Sequence, residues 1–129
     1  MPRCLMTVMA ALALAAPVLA TAQTTRAIPV PVQSLRAEIV FGQPPEVTVN
    51  GTAARLAPGA RIRDAGNLLV LSGNLTGQKR VANYTVDTYG LVMNVWLLNA
   101  DEAKQPWPKT AAEAAAWTYD PVSHTWTKP

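Results

Sequence analysis

The chain has very few of the side chains that carry covalent or metal chemistry. It contains one cysteine, Cys4, and one histidine, His124, in 129 residues. Beyond residue 22 the serines are Ser34, Ser72 and Ser123, and none lies in a nucleophile-elbow pattern. A nucleophile held against a base, or a set of metal ligands, needs several such groups close together. We therefore expect no catalytic residue, no cofactor and no bound metal.

The carboxylates also lack the spacing of a catalytic pair. Asp64 and Asp87 open predicted turns, Glu113 is placed to cap a helix, and Glu38 faces outward on a predicted strand. Two carboxylates could still converge in the fold and act as a general acid and base. A small envelope hydrolase or lyase, using residues such as Asp64, Asp87 or Glu38, is therefore the alternative to a non-enzymatic protein.

Residues 1–22 have the three parts of a secretory signal peptide. Arg3 supplies a positive charge, residues 5–19 form an apolar run, and Ala20-Thr21-Ala22 offers a cleavage site. The run is shorter than the roughly 20 residues of a membrane-spanning helix, so we expect no transmembrane anchor after cleavage. The Ala- and Pro-rich composition suggests a bacterial product, periplasmic or secreted. Because Cys4 leaves with the signal, the exported chain is expected to be free of disulfides.

The charge balance gives no sign of nucleic-acid binding. Without Arg3, ten basic residues stand against eight acidic ones, a formal charge of +2. The basic residues cluster only at Lys79-Arg80 and at Arg61 and Arg63, which is too sparse for a basic stripe with interleaved aromatics. We therefore expect no nucleic-acid partner.

Residues 34–98 are expected to form one small β-barrel domain. Residues 34–41 alternate apolar and polar side chains, and Asn50-Gly51 is a strong hairpin signal. Further short runs follow, separated by turn residues. The pattern predicts a mainly β protein, with a small antiparallel curled sheet or barrel of about six strands and a short C-terminal helix. Residues 23–33, with Pro29 and Pro31, are expected to be an extended N-terminal arm.

Three details of the barrel segment are specific enough to check. Ala57-Pro58-Gly59 is expected to be a turn between two strands. The apolar run Leu68–Leu71 is expected to lie deep in the core. The segment Leu91–Leu98 is apolar on both faces, which predicts an outer cover over the barrel. The two expected faces are Leu91, Met93, Val95 and Leu97 on one side, and Val92, Trp96 and Leu98 on the other.

Residues 99–129 are expected to be a C-terminal extension that supplies this cover. Thr110 followed by Glu113 is a capping box, and it predicts a short helix over residues 111–117. A helix this short is unstable alone, so it must dock on the barrel. Residues 99–105 are expected to begin with a turn, and residues 119–129 are expected to be irregular.

The aromatic side chains are the main candidates for a binding site. Trp107 and Trp117 could clamp the helix, whereas Trp126 has no evident structural task. Tryptophans can line a groove for a glycan or a peptide. Asn74, in an Asn-Leu-Thr sequon, lies on the widest predicted loop. The candidate partner or ligand contacts are therefore Trp126, Trp107, Trp117 and Asn74.

Part of the chain resembles a known kind of domain. The segments Val47-Thr48-Val49-Asn50-Gly51, Ala60-Arg61-Ile62-Arg63-Asp64 and Leu69-Val70-Leu71-Ser72-Gly73, with Gly77 and Val81-Ala82, look like small exported bacterial β-barrel domains of unknown function. The resemblance implies an OB/SH3-like barrel and carries no catalytic residues. It covers about half of the expected mature chain and leaves the C-terminal tryptophans outside.

The leading functional hypothesis is an exported binding protein without catalytic machinery. Its partner would be another envelope protein or a small ligand such as a glycan. This hypothesis predicts an exposed apolar or aromatic patch, because soluble monomers rarely keep a large one without a partner. A structural subunit of an envelope assembly is a third possibility, beside the small enzyme.

Overall fold

The protein is described by a computed structural model that covers Arg26 and residues 28–129. The expected signal peptide and residues 23–25 and 27 of the expected arm lie outside the described residues. The predicted fold class is confirmed, since strands dominate and the helices are short. The elements are β1 (Leu35–Phe41), β2 (Glu46–Val49), β3 (Thr52–Arg63), β4 (Leu69–Val70), a 3₁₀-helix (Ser72–Leu75), β5 (Lys79–Val86), β6 (Val92–Leu97), α1 (Ala100–Lys104), α2 (Ala111–Ala116), β7 (Thr118–Asp120) and β8 (Thr125–Thr127).

Five of the strands close into a barrel. The sheet runs β2-β1-β5-β6-β3, and a further pairing between β2 and β3 closes it. The β3–β6 pair is parallel and the other pairs are antiparallel. Such a barrel is consistent with the OB/SH3-like kind. The sixth strand, β4, pairs only with β3, so among the described residues of this sheet it forms the open edge.

The predicted turn at Ala57-Pro58-Gly59 is wrong, because these residues lie inside one long strand, β3. The register between β3 and β6 shifts between Leu56 and Arg61. Gly59 lies in this stretch with φ of 78°, a conformation that glycine adopts without steric cost. The sequence suggests a turn here because a glycine with positive φ is common both in turns and at β-bulges.

A second register shift reverses part of the predicted pattern in β6. Thr85 and Val86 are consecutive in β5 but pair with Asn94 and Val92, so Met93 is an extra, bulged residue of β6. As a result Val92 points into the barrel and is only 1% exposed, whereas Met93 is 37% exposed. A one-residue shift moves a side chain to the opposite face of the sheet, and no residue pattern within β6 signals it.

The barrel interior is one continuous apolar core. β1 contributes Ala37, Ile39 and Phe41, as its alternation predicts, and Leu75 of the 3₁₀-helix also packs into this core. The expectation that Leu68–Leu71 lies deep in the core is wrong. Leu68, Leu69 and Leu71 are 68%, 68% and 75% exposed, and only Val70 packs against the core.

The predicted outer cover is present. A second group of buried apolar side chains, the outer cluster, lies on the outside of β6 and consists of Val30, Trp96, Leu98, Trp107 and Trp126. The helix predicted over residues 111–117 forms as α2, ending one residue earlier, and packs through Ala114. Two elements were not expected: α1 replaces a turn, and residues 119–129 contain the β7–β8 hairpin in place of irregular chain.

The barrel core generates a direct stability prediction. Ile39 is fully buried, so Ile39→Ala should lower the free energy of unfolding by about 2–5 kcal/mol through lost burial and an unfilled cavity. Leu68→Ala, at a side chain that is 68% exposed, is the matched control and should change it by less than about 0.5 kcal/mol. Urea denaturation measures both. Equal losses in the two variants would contradict the assignment of the core.

Candidate functional site

The candidate sites lie around the cover and beside the open edge of the sheet. The cover leaves two clefts on the outside of the barrel, and a third groove lies next to β4. The polar side chains beneath the cover decide the chemistry of these clefts, because buried polar groups must find partners within the fold.

Arg26 fastens the end of the N-terminal arm to the cover. Its Nε and Nη2 donate to the two carboxylate oxygens of Glu102 in α1, at 3.0 and 3.1 Å. Nη1 donates to the carbonyl of Asp64 and Nη2 to the carbonyl of Leu97. Glu102 also accepts from the backbone of Asn99 and so completes the capping box of α1. One buried guanidinium thus joins the arm, the β3–β4 turn, the end of β6 and α1.

A second buried network lies on the outer face of β1 and β5. Arg36 donates through Nε to Asn83 Oδ1 at 2.7 Å, and Asn83 Nδ2 donates to Ser34 Oγ at 3.0 Å. Trp107 Nε1 donates to the carbonyl of Ser34 at 2.8 Å. The Arg36 guanidinium also lies 5.9 Å from the Trp107 ring centroid, a cation–π distance. These contacts hold the segment before α2 against the barrel.

Arg36 is a buried cation without a carboxylate at ion-pair distance among the described residues. Only 8% of the surface of Arg36 is exposed. Nη1 donates to the carbonyls of Ala103 and Gln105, while Nη2 makes no hydrogen bond within the described part of the chain. Burial lowers the pKa of the guanidinium, and the charge of Glu102 nearby opposes that shift. The group stays protonated and keeps an unused donor.

The first cleft, which we call the arm cleft, has a volume of about 260 Å³. It lies between the arm, α1 and the β7–β8 turn, with the barrel surface as its floor. Its lining combines apolar side chains with both buried arginines and with polar groups of the tail hairpin. The lining includes Arg26, Val30, Arg36, Asn83, Leu98, Asp101, Glu102, Gln105, Trp107, Ser123 and His124.

The second cleft, the tail cleft, is larger, at about 670 Å³. Its walls carry charged side chains that already have partners. Glu38 pairs with Lys79 at 2.8 Å, and Glu113 accepts from the backbone N–H of Lys109. Arg36 and Trp107 line this cleft as well as the arm cleft, and Trp117 and Lys128 line it on the side of the extension.

The third concavity lies beside β4, in a gap along one edge of β3. β2 pairs with residues 52–55 of β3, and β4 pairs with residues 62 and 63 on the same edge. Between them lies a groove of about 240 Å³. The side chains that line it are apolar except that of Ser72, while backbone atoms add polar surface; the lining comprises Pro44, Pro45, Leu56, Ala57, Gly59, Ala60, Ile62, Val70, Leu71 and Ser72.

The open edge itself is apolar; we call β4 and its exposed leucines, Leu68, Leu69 and Leu71, the leucine edge. Leu68 and Asp64 are hydrogen-bonded across the turn, so the next pair, Arg63 and Leu69, is a non-hydrogen-bonded pair. The backbone N–H and C=O of Leu69 therefore point away from β3. The edge lacks the charged residue or proline that commonly blocks further pairing.

The four residues that the sequence marks as candidate contacts have different environments in the structure. Trp126 and Trp107 are buried at 7% and 9% exposure and pack at ring-centroid distances of 5.2–6.2 Å with each other and with Tyr119. The expectation that Trp126 has no structural task is therefore wrong. Trp117 caps the end of α2 and lies under Lys128. Asn74 is exposed on the 3₁₀-helix directly after the leucine edge.

His124 and Ser123 do not form a nucleophile–base pair. His124 Nδ1 lies 3.2 Å from the Tyr119 hydroxyl, and Ser123 Oγ lies 2.6 Å from Thr125 Oγ1. The backbone N–H of Val122 holds the pKa of Asp120 below its usual range, with smaller contributions from Ser123 and His124. His124 is exposed, but its ring has Tyr119 as a partner and lines the arm cleft.

The carboxylates are largely engaged in structural contacts. Each of the two clefts has two of them in its lining, Asp101 and Glu102 in one and Glu38 and Glu113 in the other. Glu102, Glu38 and Glu113 bind the partners named above, so Asp101 is the one carboxylate of these two clefts without a hydrogen bond or ion pair in the described part of the chain. No group of three potential metal ligands occurs among the described residues, and no helix described there is long and apolar enough to cross a membrane.

Sequence reasoning missed the polar network beneath the cover. Nothing in the pattern around Arg36 or Asn83 shows that their outward-facing positions would be buried. The sequence does contain one usable signal, because Asn99 followed by Glu102 is a capping box that marks the start of α1. Arg26 lies in a segment without periodicity and gives no such signal.

The Arg26 contact generates a prediction with a matched control. Arg26→Ala should lower the free energy of unfolding by about 3 kcal/mol, because it leaves Glu102 and two carbonyls without their partner. Arg55→Ala removes the exposed pair with Glu46 and should cost less than about 1 kcal/mol. Chemical denaturation of both variants measures the difference. A loss of under 1 kcal/mol for Arg26→Ala would contradict the anchoring role.

The burial of the tryptophans predicts how they respond to a soluble quencher. Trp96, Trp107 and Trp126 are 7–9% exposed and should be shielded from iodide, whereas Trp117 is only partly buried. Trp117→Phe should therefore remove most of the quenchable fluorescence. Trp126→Phe should leave the quenchable fraction nearly unchanged, and a large drop in that variant would show that the tail hairpin is not docked.

Comparison with known proteins adds no family assignment. No protein-family model, no curated protein and no solved structure matches the chain. The functional interpretation therefore rests on the barrel, its cover and the surfaces that the cover leaves open.

Proposed function

We propose that this protein is an exported, non-enzymatic binding protein that docks an extended segment of a partner protein along the leucine edge. The observation that carries the proposal is the exposure of Leu68, Leu69 and Leu71 beside an unpaired strand edge. Export is supported by the signal-peptide pattern of residues 1–22. An exported envelope protein is accordingly the partner class that we propose.

An added strand fits the geometry of this edge. The N–H and C=O of Leu69 point outward, where a partner backbone can pair with them by β-augmentation. Leu69 and Leu71 lie on the same side of the strand because side chains alternate. An extended partner segment would therefore gain backbone hydrogen bonds and apolar contact in one register.

The groove beside β4 supplies the specificity that backbone pairing lacks. Its lining continues from Leu71 and Val70 to Pro44 and Pro45 and contains no charged side chain. An apolar side chain of the partner would fill it, and a charged one would lose hydration without gaining a partner. We therefore expect an uncharged, extended partner segment with an apolar residue in the groove.

The aromatic version of the binding hypothesis has less support. Three of the four tryptophans are buried in the outer cluster, so they present little surface to a glycan or a peptide. The contact role of Trp107, Trp117 and Trp126 stays a prediction, with Trp117 as the most accessible of the three. The leucine edge, in contrast, places three of the exposed large apolar side chains within four consecutive residues.

The first experiment identifies what lies against this edge in the cell. A photo-crosslinking amino acid replaces Leu69 in the full chain, and a second chain carries it at Val122, which is 88% exposed on the tail hairpin. We expect a discrete crosslinked species only from position 69. Mass spectrometry should map the crosslink to one extended, uncharged segment of an exported partner.

The second experiment measures affinity with that purified partner. Leu69→Lys should weaken binding about tenfold to a hundredfold, because one leucine can no longer be buried. Val122→Lys adds the same charge elsewhere and should leave the affinity unchanged. Equal affinities for the two variants would contradict the proposal, as would crosslinks at position 69 that join only two copies of this chain.

A further inference from the structure

The arm cleft has the composition of a small-ligand site that is independent of the leucine edge. It lies on the covered side of the barrel, and none of its lining residues belongs to β4 or to the groove beside it. Its apolar floor, from Val30, Leu98 and Trp107, adjoins a small number of polar groups. That combination is typical of cavities that bind small molecules.

The deepest charge of the cleft is positive. Arg26 and Glu102 form an ion pair there and cancel. Arg36 is 8% exposed and has no such partner among the described residues, whereas Asp101 is exposed at the rim. Isolated charges are seldom buried without a counter-charge. The charge of Glu102 acts on Arg36 from a distance, but its carboxylate is bound to Arg26. An anion from solution would give Arg36 a partner in direct contact.

The donors of the cleft can hold an oxyanion. Nη2 of Arg36 has two N–H groups that make no hydrogen bond in the described structure, while Nε and Nη1 fix the guanidinium to Asn83 and to two carbonyls. The guanidinium is therefore positioned before a ligand arrives. His124, with its ring held by Tyr119, and the amide of Gln105 supply further polar groups in the same lining.

We propose that the arm cleft binds a small molecule bearing an oxyanion, a carboxylate or a phosphate, with Arg36 as its principal donor and His124 and Gln105 beside it. The apolar part of such a ligand lies against Val30, Leu98 and Trp107. The volume of about 260 Å³ restricts the ligand to a small molecule. The tail cleft also borders Arg36 and carries Lys109 and Lys128 beside Glu38 and Glu113, so an anion that binds there instead would contradict the proposal.

The test uses isotope-labelled protein and three probes of known charge. Benzoate and benzamide share shape and size but differ in charge, and inorganic phosphate lacks the apolar ring. We expect saturable amide shifts at Ser123, His124 and Gln105 with benzoate, with phosphate, or with both. Benzamide should bind at least about tenfold more weakly than benzoate, because the charge-assisted hydrogen bond to Arg36 is lost. Shifts with benzoate alone would identify a carboxylate as the oxyanion of the ligand, and shifts with phosphate alone would identify a phosphate.

Three variants link the shifts to the proposed groups. Arg36→Lys should weaken oxyanion binding at least about tenfold, since lysine cannot keep the same fixed geometry. His124→Asn should weaken it several-fold and tolerates the positive φ of 56° at that position. Asp101→Asn removes the opposing charge at the rim and should strengthen binding at low salt. His124 and Asp101 are exposed, so the His124→Asn and Asp101→Asn variants should fold and can test the anion site even if Arg36→Lys does not fold.

Several outcomes would overturn the proposal. Equal affinities for benzoate and benzamide would remove the role of charge. Shifts confined to Lys109, Trp117 and Lys128 would place the ligand in the tail cleft instead. The absence of saturable shifts with benzoate and phosphate, or weaker benzoate binding in Asp101→Asn, would also contradict an anion site. None of these results bears on the leucine edge.

Discussion

The structure depends on covering one face of the barrel. The outer surface of β1, β5 and β6 carries Trp96 and Leu98 together with Arg36 and Asn83. Burying the apolar pair is favourable, but it also buries the polar pair, which must then be fully hydrogen-bonded. The arm and the C-terminal extension meet the first requirement and most of the second, because they bring apolar side chains and backbone carbonyls to the same surface and leave only Nη2 of Arg36 without a partner among the described residues. The cover is thus an integral part of the fold.

The same constraint gives the molecule two unlike sides. On the covered side, the fit between arm, α1 and tail hairpin is incomplete, and the arm cleft remains with a buried cation in its wall. Beyond the β3–β4 turn, which Arg26 still contacts, β4 is left with its outer edge unpaired among the described residues. The leucines of β4 are exposed because no described part of the extension reaches them. The arm cleft is thus a gap within the cover, whereas the leucine edge is a surface that the described part of the cover does not reach.

The sequence predicts the local features of this fold better than the long-range ones. Alternation in residues 34–41 correctly identifies the inward side chains Ala37, Ile39 and Phe41. The apolar residues on both faces of Leu91–Leu98 correctly predict that a cover packs on the outside of the barrel. The reversal of Val92 and Met93 was missed because it arises from a bulge in β6, where Met93 is an extra residue opposite β5, and the apolar pattern of β6 does not mark it. The exposure of Leu68, Leu69 and Leu71 was missed because an apolar run signals burial whether the covering element belongs to the chain or to a partner.

The candidate site was less accessible to sequence reasoning. Arg36 and Asn83 lie in register across β1 and β5, and their burial follows only from the docking of residues 99–129. The residues that define the arm cleft and the leucine edge are arginine and leucine, whereas the sequence drew attention to tryptophan.

The central claim is that the cover protects one side of the barrel and leaves the leucine edge open in the free protein. Amide hydrogen exchange of the monomer tests it residue by residue, because backbone N–H groups exchange slowly only where they are paired and shielded. The account predicts slow exchange, limited by global unfolding, for Asn83 and Trp96, and exchange near the rate of an unstructured chain for Leu69. An amide of Leu69 as protected as that of Asn83 would contradict the account, since the edge would then already be covered.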